Sequence, residues 1–323
     1  AKAFLDTATA GDSSFAVPGA SAGFTGDLTA ADWDRDYRDD VVYFGTVQGS
    51  VVAPGGELMR FVPGANFSIS GANFSKLIDK PGGLQRPFNG MPSVSTNLAG
   101  DYWVNVGSGR FYVADDNLSS QQQSAFGVKE PVDSNGDLTF ASVSYSSDLV
   151  DTTGIDVFED GGVRRGGGDP NLSNGDTVAT FAALKHSIAS SGGWYFHFDD
   201  PAARNVGRLG RINVSLLLTE YLPTGDACQP LGETFLNAVH FETGTAAPFA
   251  ALGLGSGSYN GSTLVERSTA YGKGLIRDIV VDEAGGRSRV MAQDGTGGLI
   301  TKDVALPPAP RGRLSWRELE IDW

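Results

Sequence analysis

Apolar side chains recur at every second position in window after window of this chain, and glycine-rich stretches separate the windows. In GRINVSLLLTEY, Ile212, Val214, Leu216 and Leu218 share one face, with Asn213, Ser215 and Thr219 opposite. In ETFLNAVHFETG, Phe235, Val239 and Phe241 align, and in GWYFHFDD, Trp194, Phe196 and Phe198 do so. A period of two is that of a strand with one face buried. The 44 glycines among 323 residues are about twice the share of an ordinary globular chain and supply the turns between strands. IRDIVVDEAGGRSRVMAQDG reads as a hairpin across Ala284-Gly285-Gly286.

This pattern predicts an all-β protein of many short antiparallel strands. One segment departs from it. TVATFAALKHSIAS, residues 177–190, places Val178, Phe181, Leu184 and Ile188 on one side ahead of Gly192-Gly193, which predicts one short helix. Long loops are expected at 53–82, which contains GANFS twice (64–68 and 71–75), and at 160–176. No linker divides the chain, so one domain over 1–323 is expected. A β-propeller of four-stranded antiparallel blades fits. Blades take roughly 40 to 50 residues each, so the length accommodates at most about seven.

The charge balance narrows the partners. Thirty-eight acidic residues against 24 basic ones give a net charge of -14, which disfavours nucleic acid and anionic membrane surfaces. No apolar run is long enough to span a bilayer. The first residues, AKAFLDTATAGDSS, lack the charged-then-apolar layout of a secretion signal. Cys228 is the single cysteine, so an intrachain disulfide is excluded and an interchain one is left open.

The densest charge lies in DWDRDYRDD, Asp32 to Asp40, where five carboxylates precede the apolar run VVYF. Counted from Asp32, the residues Asp32, Asp34, Asp36 and Asp40 hold positions 1, 3, 5 and 9, and Arg38 holds position 7. In EF-hand-type calcium loops, positions 1, 3 and 5 donate side-chain oxygens and position 7 a backbone carbonyl, so an arginine is admissible there. A Ca²⁺ ion would supply the charge that the carboxylates lack. The loop is not an EF-hand: Tyr37 and Tyr43 stand where the motif has glycine and a bidentate glutamate, and VVYFGTV predicts a strand where the motif has a helix. The competing reading is a solvated acidic turn balanced by Arg35 and Arg38.

The surroundings of this loop add a family likeness. GDLTAADWDRDYRDDVVYFGTVQGS followed by GGELMRFV resembles the calcium-loop blade of the PilC/PilY family of type IV pilus tip-associated proteins. Further segments resemble that family in order: RPFNGMPSVSTNLAGDYWVNVGSGRFYVADDN, QQQSAFGV, GGWYFHFDD, TEYLPTGDACQPLGETFLNAVHFETG and SWRELEID. The likeness runs with gaps from about residue 25 to 323. It implies a secreted, non-enzymatic C-terminal β-propeller that acts in pilus assembly, retraction control and adhesion. Its partners would be pilus subunits (minor pilins) and a host or surface receptor, and its place extracellular, at the pilus tip or outer membrane. It further implies Ca²⁺ held by Asp32, Asp34, Asp36, Asp40 and the Arg38 carbonyl, in a blade over about 25–62. The family has propeller sequence ahead of this loop, where the present chain has 31 residues. The chain is therefore expected to be a portion of a longer exported protein, with an upstream segment or companion chain as a further partner.

Other chemistry finds little support. His186, His197 and His240 are too scattered for zinc and are expected to be structural. There is no nucleophile elbow and no phosphate-binding loop. DSNGD (133–137) and DPNLSNGD (169–176) read as ordinary turns. The rival to the pilus reading is an exported propeller lectin or enzyme that binds a sugar or redox cofactor in its central channel.

Overall fold

Turn residues fold the alternating windows into hairpins. The computed structural model describes residues 23–50, 52–63, 73–224, 232–284 and 287–307. The first sheet contains β1 (Gly23–Ala31), β2 (Val41–Gly49), β3 (Pro54–Gly55), β4 (Leu58–Phe61) and β5 (Phe74–Lys76), ordered β1-β2-β4-β5 with β3 against β2. The short β6 (Ile78–Asp79) leads into β7 (Ser93–Thr96), β8 (Tyr102–Gly107) and β9 (Ser124–Lys129). Then come β10 (Val143–Ser144), β11 (Leu149–Asp151), β12 (Asp156–Val157) and β13 (Val163–Arg164). After α1 (Phe181–Ala189), β14 (Gly193–His197) completes a second sheet ordered β11-β14-β9-β8-β7.

A third sheet joins β15 (Gly210–Ile212), β16 (Ser215–Leu222), β17 (Glu233–His240) and β20 (Ser268–Lys273), with the hairpin β18 (Leu254–Tyr259) and β19 (Ser262–Val265) inserted. The last, β21 (Val280–Ala284), β22 (Arg287–Gln293) and β23 (Leu299–Val304), has three strands. Among the described residues the four larger sheets therefore hold three to five strands rather than a uniform four, and three further sheets are two-stranded. Two pairings are parallel, β11 with β14 and β6 with β10.

Two expectations are refined by these elements. The helix is shorter than 177–190: the Thr180 side chain accepts the Ala183 N–H and caps its start, which leaves Val178 ahead of it. The window GRINVSLLL is not one strand but a hairpin, with Ile212 paired to Ser215. Asn213 takes φ 53°, a left-handed conformation that asparagine tolerates, so the chain reverses without a glycine. The hairpin expected near 284–286 is present, since Ala284 pairs with Arg287.

Strand β16 is buried on both faces. Leu216 and Leu218 join Trp194, Phe196, Phe198, Leu184 and Ile188 in one core, while Leu217 joins Leu236 and Val290 in another. A third core, with Val41, Tyr43, Leu58, Phe88 and Phe126, lies between the first two sheets and carries the acidic loop at its margin. Among the described residues, no helix is long and apolar enough to cross a membrane. Cys228, the first GANFS copy and the SWRELEIDW ending lie outside the described residues.

Candidate metal centre

The stretch Asp32–Asp40 is the connection of the β1–β2 hairpin. Its stem closes with Ala31 opposite Val41 and the Asp40 N–H donating to the Ala31 carbonyl at 2.8 Å. Between those ends the backbone curls around its own side chains. Asp32 accepts the N–H groups of Asp36 (3.1 Å) and Tyr37 (2.8 Å), and Asp34 accepts that of Asp36 (3.0 Å). Asp36 accepts Arg38 N–H (2.8 Å), and Asp40 accepts those of Trp33 (2.6 Å) and Asp34 (3.3 Å). Arg35 and Tyr37 adopt left-handed backbone, φ 63° and 70°. That conformation is disfavoured for side chains carrying a Cβ, and the hydrogen bonds hold it.

This curl brings carboxylate oxygens of Asp32, Asp34 and Asp40 within 4.8 Å of one another. Asp36 stands outside that trio, with its carboxylate turned to the Arg38 N–H, although Asp36 and Arg38 line the same cleft as Asp34 and Asp40. Neither Arg35 nor Arg38 forms an ion pair among the described residues. The arginines therefore do not neutralise the turn by direct contact. The Asp36 N–H bond pulls the Asp34 carboxyl down. Desolvation and the charges of Asp40, Asp36 and Asp32 outweigh it, and the carboxyl lies above its ordinary value. Oxygens sharing one Ca²⁺ at 2.3–2.6 Å can be no more than about 5.2 Å apart, so the trio fits such an ion, and its all-oxygen donor set suits a hard cation.

Beneath the loop runs a buried polar chain. Trp33 Nε1 donates to the Tyr43 hydroxyl (3.0 Å), which donates to Glu130 Oε1 (2.7 Å). Glu130 Oε2 pairs with Arg60 Nη1 at 2.6 Å, both side chains fully buried. Arg60 also donates to Ser75 Oγ (2.9 Å) and to the Phe140 carbonyl. Burial first, and then the adjacent Glu130 charge, raises the Tyr43 phenol far above its usual range, so it stays a proton donor. Trp33 also packs on Tyr102, ring centroids 4.8 Å apart. Sequence reading passed over Arg60 and Glu130, and met Tyr43 only as a departure from the EF-hand pattern. The available signal was Arg60 inside the apolar strand LMRF, since a buried guanidinium requires a partner.

A cleft of about 530 Å³ separates the loop from the opposite wall, where Gly136, Asp137, Leu138 and Phe140 lie. That wall is DSNGD, and it is a turn: Asp133 Oδ1 accepts the N–H groups of Asn135 (2.8 Å) and Asp137 (3.0 Å). The segment at 169–176 is likewise a turn, with Gly175 N–H donating to the Leu172 carbonyl. The histidines do not converge. His186 is exposed, His197 meets Ser124, and buried His240 accepts the Glu242 N–H, with its ring pushed down to about 3 by burial, Lys185 and Arg211.

No protein-family model and no curated protein matches the chain. Among solved structures, the C-terminal domain of Pseudomonas aeruginosa PilY1 superposes with a TM-score of 0.59 at 14% identity, covering 91% of this chain and 63% of that one. The fold is that β-propeller. The present chain thus spans somewhat less than two thirds of the PilY1 structure it matches. An exo-1,5-alpha-L-arabinanase from a bovine ruminal metagenomic library covers 88% of this chain and 75% of its own, at 8% identity and a TM-score of 0.33. That level of superposition bears on neither fold nor function.

Proposed function

We propose that this chain is a non-enzymatic, calcium-binding propeller domain of a type IV pilus tip-associated protein, acting in pilus assembly, retraction control and surface adhesion. The observation that carries the reading is the convergence of Asp32, Asp34 and Asp40 in the β1–β2 loop, on a fold shared with the PilY1 C-terminal domain. Asp36 and the Arg38 carbonyl complete the ligand set suggested by spacing. When bound, the ion neutralises the like charges of the loop. The chain's own residues do the rest: backbone N–H groups orient the carboxylates, and the Trp33–Tyr43–Glu130–Arg60 chain holds the loop's base still.

The partners are pilus subunits and a surface receptor, met outside the cell. The test is made in a piliated bacterium in which this chain replaces the native domain. Asp32→Ala and Asp40→Ala cells should show altered surface piliation or twitching at normal protein level. Asp40→Lys, which fixes a cation beside the remaining carboxylates, should restore the occupied behaviour in part. Wild-type motility in all three variants would reduce the ion to a stabilising role, and isothermal titration showing no calcium uptake would remove it altogether.

A further inference from the structure

A second site, independent of the acidic loop, is marked by a cation without a counter-charge. Arg86 is half-buried, and among the described residues neither it nor Lys80 forms an ion pair, while eight other pairs are made elsewhere. Other buried or part-buried cations without an ion pair, Arg204, Arg165 and Lys129, donate to backbone carbonyls instead. Arg86 donates to a single hydroxyl, that of Ser124, and removing a guanidinium from water is costly unless its charge is met. Burial draws the Arg86 group below its ordinary value, against the pull of the Tyr145 and Tyr195 phenols.

Aromatic and polar side chains from several elements gather around Arg86. Lys80 follows β6, and its Nζ lies 4.7 Å from the centroid of the Tyr145 ring. Tyr145 stacks on Tyr195 of β14 at 4.8 Å. His197 pairs in register with Ser124 of β9, and its Nδ1 lies 2.7 Å from Ser124 Oγ. Arg86 Nη1 donates to that same Ser124 oxygen, and the guanidinium lies 5.9 Å from the Phe126 ring. A guanidinium has five N–H donors, so these partners leave part of the fork unused. No Arg86 nitrogen is sealed from solvent without a partner, so the unused part can be reached. The carboxylate that acts on His197 and Tyr195, Asp151, is itself held by the Thr153 N–H at 2.8 Å. Ser124 is fully buried, which removes it as a nucleophile for a substrate from solution.

We propose that Arg86 and Lys80 form a binding site for a single carboxylate group on a small ligand. The guanidinium fork takes the carboxylate by charge-assisted hydrogen bonds, and the ammonium, held over the Tyr145 ring, supplies the second. Exposed Asp79 beside Lys80 and the acidic surface as a whole repel extended polyanions, which selects an isolated charge. Such a carboxylate comes either from a free acid or from a uronic acid unit of an acidic saccharide.

The experiment is isothermal titration of the calcium-supplied full chain with acetate, galacturonate and a short, otherwise neutral oligomer ending in a single uronic acid, with galactose and inorganic sulfate as controls. Saturable binding of at least one carboxylate is expected, with galactose silent. The tightest arm names the source: acetate and galacturonate alike for a free acid, the oligomer for a saccharide. Lys80→Ala and Arg86→Lys should each weaken it about tenfold or more, the loss expected for a hydrogen bond to a charged group. Arg86→Lys keeps the charge but not the fork, and Lys80→Ala alters a side chain outside the core, so a folding failure in one leaves the other informative. The proposal is overturned if no carboxylate binds, if sulfate binds as tightly, or if both variants bind like wild type.

Discussion

Two acidic loops face one another across the same cleft, and they handle their charge in opposite ways. In Asp133–Asp137, the Asp133 carboxylate collects N–H groups of Asp137 and Asn135, and those bonds hold it below its ordinary value. In Asp32–Asp40, the Asp34 carboxylate has one such donor and three carboxylate neighbours, and it lies above. Both are exposed and both look alike as strings of Asp, Asn and Ser or Tyr. A carboxylate's fate is set by the number of donors the backbone turns toward it, and the number of aspartates is a poor guide. The first loop is closed on itself, while the second holds a surplus of negative charge that an external cation can meet.

The largest effect should come from the floor the two walls share. Glu130 ties the base of the Asp32–Asp40 loop through Tyr43 and leads directly into Asp133–Asp137. Glu130→Ala strands the Arg60 guanidinium in the core, and urea unfolding should show a loss of about 3–5 kcal/mol. A loss below about 1 kcal/mol would mean that the buried pair does not brace the cleft. Next is calcium itself. At a hundredfold excess over its Kd, the ion should stabilise the fold by about 2.7 kcal/mol. In thermal melts this response should vanish in Asp34→Ala and survive in Asp133→Ala; equal loss in both would erase the distinction between the loops.

A smaller effect separates the loops by pH in metal-stripped protein, followed by melts between about pH 3 and 6, where carboxylates titrate. Asp34, raised in the fold, binds its proton more tightly there than in the unfolded chain, so its contribution to stability falls as pH rises through the folded value. Asp133, lowered in the fold, contributes above the unfolded value, and that contribution is lost as pH falls. Asp34→Ala should flatten the first slope and Asp133→Ala the second. The smallest effect belongs to Tyr37, 98% exposed at φ 70°. Tyr37→Gly should raise stability by less than about 1 kcal/mol, since relief of the left-handed strain is partly offset by the freedom glycine has when unfolded.

Local patterns were legible in the sequence, and long-range ones were not. Period-two alternation gave the strands at 193–197 and 233–240, and the spacing of aspartates gave the loop that gathers Asp32, Asp34 and Asp40. The helix was placed too wide because Val178 shares the apolar side, whereas the Thr180 cap sets the start. The hairpin at Asn213 was missed because the apolar alternation runs on across the turn at Asn213-Val214, which no glycine marks. The Arg60–Glu130 pair spans seventy residues of sequence, and Arg86 meets His197 through Ser124 across separate strands. Contacts of that kind follow from how the sheets are packed together, and no spacing rule reports them.

Trp33 has a consequence for how this protein can be watched. Its indole is buried and bonded to Tyr43, while its backbone N–H is held by the carboxylate of Asp40, one of the converging trio. A change in what surrounds that carboxylate is therefore passed, one residue away, to a fluorophore fixed against Tyr102. The chain has five tryptophans, and of those described, Trp33 alone sits in the loop while Trp103 and Trp194 are set in the deep core. Emission from Trp33 gives the loop an optical signal of its own, so the kinetics of ion entry and release can be followed in real time without adding a label.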